Sequence, residues 1–241
     1  MNKIWILTKR ELKTFFDSLI AYVLLGLFLG VSGYFAWQMQ GNNIFDRGEA
    51  NLMPFFDIAF WTLFFFIPLL TMRMLAEENK TGTIELLLTK SVTDWQVIFG
   101  KFLSVFILIA IALLLTTPYY YTIAKYGEVD HGVVVLGYLS LLLMSGAYTA
   151  IGLWVSSITN NQIVAGLLAL VIGLMFHLIF GVMASSSSGM VGDVLSFLDM
   201  RGHFTSMIRG VVDSTDLLFY GSIIFIGLVL AESQLAKRHI A

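Results

Sequence analysis

The chain has 241 residues, 58% of them hydrophobic and 12% charged, with a mean hydropathy of +0.84. A soluble domain carries about 25% charged residues, so this is the balance of an integral membrane protein. The net charge of −2 excludes no partner, because in such a chain the placement of charge matters more than its sum. No stretch has the look of a nucleic-acid patch, and the absence of cysteine rules out disulfides, thiolate metal sites and a cysteine nucleophile.

Residues 1–17 place Ile4, Trp5, Thr8, Leu12, Phe15 and Phe16 on one helical face, with Lys9, Arg10 and Lys13 opposite. This predicts an amphipathic helix on the membrane surface, aromatic rings in the boundary and basic groups toward anionic headgroups. The simpler alternative is that it begins the first span. Charged residues continue to Asp17, and the apolar run that follows is longer than the roughly 7 to 15 residues of a signal-peptide core, so no cleavable signal is expected.

Six apolar segments, 19–39, 54–74, 98–124, 133–157, 162–184 and 217–235, approach the roughly 20 residues needed to cross the hydrocarbon. Backbone groups in lipid must be satisfied within each segment, which predicts one all-α membrane domain over residues 1–241. With the N-terminus inside, the inner side holds Lys3, Lys9, Arg10, Lys13, Arg73, Lys80, Lys90, Lys101, Lys237 and Arg238, and the outer side Arg47, Lys125, Arg201 and Arg209. That asymmetry agrees with the positive-inside rule and predicts cytoplasmic termini. Pro118, followed by three tyrosines, predicts a kinked or terminating third span with its rings in the outer interfacial belt. The outer loop 185–216 opens with four serines but then holds Phe197, Leu198, Met200, Phe204, Met207 and Ile208, too many apolar residues for a free linker. Short helices folded onto the outer mouth are expected.

The longest internal polar interruption is 73–101. Thr81-Gly82-Thr83 marks a break where one helix ends, and Ile84, Leu86, Leu87 and Leu88 form an apolar knob with one acid, Glu85. Ser91, with Asp94 three residues on, is a capping-box variant that predicts a helix start before Trp95. Arg73 and Glu77 are four apart and able to pair along a helix face. With Glu78 they read either as a solvated helix end or as a rigid lever from the second span to the leucine knob.

Gly100-Lys101 is followed by Phe102, with no glycine at the P-loop spacing, so the chain has no nucleotide-hydrolysis motif of that kind. HExxH is missing, and His131, His177, His203 and His239 are scattered. His177 falls near the middle of the fifth span, where an ionisable residue raises a functional question; a neutral imidazole bonded to a neighbouring helix is the favoured explanation. Asp57 and Glu232 lie near span ends and read as packing or snorkelling residues. Gly26-xxx-Gly30 permits close helix contact without selecting a dimer face. The alternatives to a transporter are an intramembrane enzyme centred on His177 and a non-transporting anchor that recruits cytoplasmic partners.

Arg73, Glu77, Glu78, the run Thr81-Gly82-Thr83-Ile84-Glu85-Leu86-Leu87-Leu88-Thr89, Asp94 and Gly100-Lys101 resemble the cytoplasmic signature of six-span permeases from the second class of ABC exporters. The N-terminal helix, the six spans and the folded fifth-to-sixth loop resemble that family's general plan over the whole chain. The resemblance implies an all-α fold with a cytoplasmic coupling helix in loop 73–97, and a multi-pass location in the inner (cytoplasmic) membrane. It also implies coupling to an ATP-binding subunit through Glu77, Glu78, Thr83, Glu85, Leu86, Leu87, Leu88 and Asp94. This chain would then not be an enzyme and would bind no cofactor, ATP and magnesium belonging to the partner. A second permease chain, the same or related, completes the expected assembly in the lipid bilayer, and an auxiliary membrane subunit stays open. A narrower likeness to the gliding-motility-associated permeases rests on Gly41-Asn42 through Pro54-Phe55-Phe56, Ala147-Tyr148-Thr149-Ala150-Ile151-Gly152, Asn161-Gln162-Ile163-Val164-Ala165, and His203-Phe204 with Arg209-Gly210-Val211-Val212-Asp213. Ser91 departs from the proline usual after the leucine run.

Overall fold

The computed structural model describes residues 3–38, 51–82 and 92–237, and all regular structure among them is helical. Helix α1, Lys3–Asp17, buries Leu7, Thr8, Glu11 and Phe15 at helical spacing and leaves Trp5 and Ile6 exposed. It turns sharply into α2, Ile20–Trp37, through Leu19 at φ 59°, a left-handed conformation that is uncommon for a residue with a side chain. That turn lets α1 lie across the foot of the bundle instead of extending the first span.

Helix α3 is Met53–Thr71 and the short α4 is Ala76–Thr81. Helix α5, Asp94–Leu114, passes through a brief turn into α6, Thr117–Tyr126, where Pro118 sits in the first turn and its missing N–H has no intrahelical bond to lose. Helix α7 runs His131–Ile158, α8 Gln162–Leu174, a π turn covers Met175–Ile179, and α9 is Phe180–Ser185. Two short helices follow, α10 at Gly189–Phe197 and α11 at Met200–Ile208, before α12 at Ser214–Lys237. Among the described residues six stretches are long and apolar enough to cross a membrane: Ile20–Trp37, Met53–Thr81, Asp94–Tyr126, His131–Ile158, Gln162–Ser185 and Ser214–Lys237. They match the six apolar segments expected from the sequence to within a few residues at most ends; the third is extended at its start by the polar turn that caps α5.

Helix α7 is the axis of the bundle, with 67% of its most apolar window buried, against 22% for α2, 28% for the fifth span and 33% for α12. Small residues make this possible. The ring of Phe56 occupies the space a side chain at Gly137 would take, Thr71 does the same at Gly152, and Ala150 lies against Gly227 of α12. Close backbone approach of this kind supplies packing where lipid removes the hydrophobic drive between helices. Phe55, Phe56, Phe60 and Phe64 of α3, all buried, fill the remaining space against α7.

Candidate functional site

The foot of the bundle is where 73–101 leaves and rejoins the helices. Helix α3 stops at Thr71 and α4 begins at Ala76, so the intervening backbone needs partners outside the helix ladder. Ser156, buried near the end of α7, supplies them. Its Oγ accepts from the N–H of Leu75 at 3.1 Å and of Ala76 at 3.0 Å, and donates to the carbonyl of Met72 at 3.1 Å. Asn79 adds a second tie, its Nδ2 donating to the carbonyls of Ser157 at 3.3 Å and Thr159 at 3.4 Å. Helix α4 then ends at Gly82, in the left-handed region at φ 69°, where glycine avoids the strain a side chain would bring. The N–H of Glu77 bonds to the carbonyl of Arg73 at 3.3 Å, so the two residues are one helical turn apart, but no ion pair joins their side chains among the described residues.

A buried ion cluster braces α4 from the other side. Lys101 of α5 is 2% exposed; its Nζ lies 2.8 Å from Oε1 of Glu78 on α4 and 3.5 Å from Oε1 of Glu11 on α1. Arg10 contacts the same Glu11 oxygen and reaches Oε1 of Glu78 at 3.6 Å. Two cations thus meet two anions, and the pairing offsets the cost of burying Lys101 and Glu11, while Glu78 is partly buried and Arg10 is exposed. Burial penalises the charged form of Glu11, but Lys101 and Arg10 outweigh it and hold its carboxyl below the ordinary value. Gly100 sets the approach: a Cβ there would lie 2.7 Å from Leu7 Cβ, so only glycine lets α1 cross α5 closely enough for Lys101 to reach both acids.

Of the residues singled out for coupling, Glu77 is exposed on α4, Glu78 is drawn into the ion cluster, and Asp94 is half-buried in the first turn of α5. Thr83, Glu85, Leu86, Leu87 and Leu88 lie outside the described residues, as does Ser91. The expected cap moves by two positions. Thr93 is the N-cap of α5, its Oγ1 accepting from the N–H of Gln96 at 3.4 Å while Gln96 Oε1 accepts from the N–H of Thr93 at 3.3 Å. Thr93-x-x-Gln96 is the better capping box because both halves reciprocate, and Asp94 then falls inside the first turn, where an acid suits the helix dipole. Residue patterning missed Arg10, Glu11 and Ser156 as partners of this site. A usable signal was Lys101 itself, a lone lysine inside an apolar run.

His177 lies in the π turn. Its Nδ1 is 2.8 Å from the hydroxyl of Tyr148. Phe60 and Phe64 stack on it at 4.1 and 4.4 Å, with Trp61 edge-on at 4.4 Å. Aromatic rings of α3 thus surround the imidazole, and the bond to Tyr148 of α7 is the contact with a neighbouring helix expected from the sequence. Its Nε2 is buried and has no hydrogen-bond partner among the described residues.

The all-helical bundle with six stretches long enough to span a membrane is consistent with the comparison to known proteins. A search of curated proteins finds no match. A family model described as ABC-2 family transporter protein matches residues 7–227, from α1 through most of α12. The chain therefore belongs to the ABC-2 family of transporter proteins, as a multi-pass membrane permease rather than the ATPase.

Proposed function

We propose that this permease serves an ATP-driven exporter in which segment 83–91 receives the stroke of a separate ATP-binding subunit. The observation that carries the proposal is the bracing of both flanks of that segment. On one side α4 is fastened to α7 by Ser156 and Asn79 and to α5 and α1 by Glu78, Lys101 and Glu11. On the other, the segment rejoins at the capped start of α5, the helix that carries Lys101. Force applied between these points reaches α1, α5 and α7 together. In this arrangement Glu78 acts as an internal strut, while Glu77, Thr83, Glu85, Leu86, Leu87, Leu88 and Asp94 are the docking candidates.

ATP and magnesium would be bound by the partner. A second permease chain would complete the path, and the ten-to-four distribution of basic residues would place the foot in the cytoplasm and the termini on the inner side of the inner membrane. The likeness to gliding-motility-associated permeases supports a role in that process as cargo export or force transmission. Replacing Leu86 and Leu87 with Asp tests the docking step. Loss of the co-purified ATP-binding subunits and of stimulated ATPase is expected; a complex that keeps both sinks the proposal. The triple Lys101→Met, Glu11→Gln, Glu78→Gln separates docking from transmission, since it should keep the ATP-binding subunits while uncoupling ATP hydrolysis from transport.

A further inference from the structure

The far end of the bundle carries a second buried polar cluster, independent of the transport proposal. His203 of α11 stands between two other elements. Its Nδ1 is 2.6 Å from Oδ1 of Asp216 in the first turn of α12, and its Nε2 is 2.8 Å from the carbonyl oxygen of Phe197 at the end of α10. The ring stacks on Phe219 at 4.1 Å, and His203 and Asp216 are 9% and 4% exposed. A carbonyl and an ionised carboxylate can only accept, so both ring nitrogens face acceptors, yet a neutral imidazole has one N–H. Both contacts are satisfied only when the His203–Asp216 pair holds one further proton, either as imidazolium beside carboxylate or as a carboxylic acid donating to Nδ1.

Helix α10 packs chiefly on the preceding helix, α9. None of its residues is buried, and Phe197 is where it meets α11 and α12, through the carbonyl and through ring contacts of 5.8 Å with both His203 and Phe219. We propose that His203 and Asp216 form a proton-dependent latch that holds α10 on the mouth of the bundle and releases it when the pair loses its proton. With a single N–H left, the imidazole keeps the carboxylate, whose charge-assisted bond is the stronger, and lets the Phe197 carbonyl go. The other ionisable groups on the surrounding elements are Asp199, Arg201 and Arg209 flanking or on α11, Asp193 on α10, Tyr220 on α12, and Asp213 in the preceding turn.

The chain has no cysteine, so a spin label on Val194→Cys, an exposed position of α10, reports that helix alone. In the full chain in lipid nanodiscs, label mobility is expected to be low in acid and to rise severalfold once the pH is raised far enough for the pair to lose its proton. Asp216→Asn is the discriminating variant. Its amide donates to Nδ1 while Nε2–H serves Phe197, so no further proton is needed and mobility stays low throughout. The double variant His203→Phe, Asp216→Asn keeps the stack on Phe219, leaves no lone buried carboxylate, and is expected to be mobile at every pH. A native chain with pH-independent mobility, an Asp216→Asn chain that titrates like the native one, or an immobile double variant would each overturn the latch.

Discussion

The two buried ion clusters stand at opposite ends of one bundle and are made of different chemistry. At the foot, Lys101 and Arg10 face Glu11 and Glu78, types that are ordinarily all charged from about pH 5 to about pH 10. At the far end an imidazole and a carboxylate, His203 and Asp216, share a hydrogen bond whose donor depends on where the proton sits. The foot ties together α1, α4 and α5 through an ammonium that is 2% exposed, whereas the far cluster holds a helix with no buried residue. The proposed coupling joint is thus built from side chains of permanent charge, and the proposed latch from a pair that shares a proton.

Breaking the foot should have the largest effect. Lys101→Met leaves two carboxylates beside the remaining Arg10, and removing one partner of a buried pair costs about 3 to 5 kcal/mol. Thermal unfolding in detergent should shift down accordingly, and adding Glu11→Gln and Glu78→Gln should recover most of the loss, because the one charge then left without a partner, Arg10, is 45% exposed to solvent. A stable single variant would show that the foot is no structural joint. Ser156→Ala comes next. It leaves the N–H groups of Leu75 and Ala76 without their acceptor, a loss of about 1 to 3 kcal/mol, read as faster hydrogen exchange at Leu75 and Ala76.

The two clusters should also answer pH with opposite signs. Glu11 is held below its ordinary value of 4.5 in the fold. Its contribution is therefore complete above that value and is lost as pH falls through the lowered one. Glu11→Gln should remove this part of the acid sensitivity in an acid-unfolding titration. The far latch instead fails as pH rises. The smallest effect belongs to the cap: Thr93→Ala should cost about 1 kcal/mol, while Ser91→Ala leaves the start of α5 unchanged. Equal losses by circular dichroism melting would return the cap to Ser91.

How much was legible depended on the range of the interaction. The apolar runs announced the spans, and Gly82 announced the end of α4, because both are local effects of lipid and backbone. Arg73 and Glu77 have the helical spacing read from the sequence and a backbone bond between them, yet no ion pair joins them among the described residues, while the break after Thr71 and the bonds from Ser156 of a distant helix had no local signal. The cap was misplaced because Ser91 and Thr93 both precede the same apolar run, and the reciprocal bond from Gln96 decided between them. Gly100-Lys101 was visible as a motif, but its purpose was not, since Leu7 and Glu11 reach it only when α1 folds across α5.

By itself the sequence determined an all-helical membrane protein with six spans and an amphipathic start, since in lipid each segment must satisfy its own backbone and composition is read locally. The tertiary structure alone decided which charges meet. Lys101 finds Glu11 90 positions away and Glu78 23 positions away, and His203 finds Asp216 across a turn between two helices. Such partners are chosen by how helices cross, and the crossings follow from small residues on α7 and α5 admitting particular neighbours, which no periodicity along a single helix encodes.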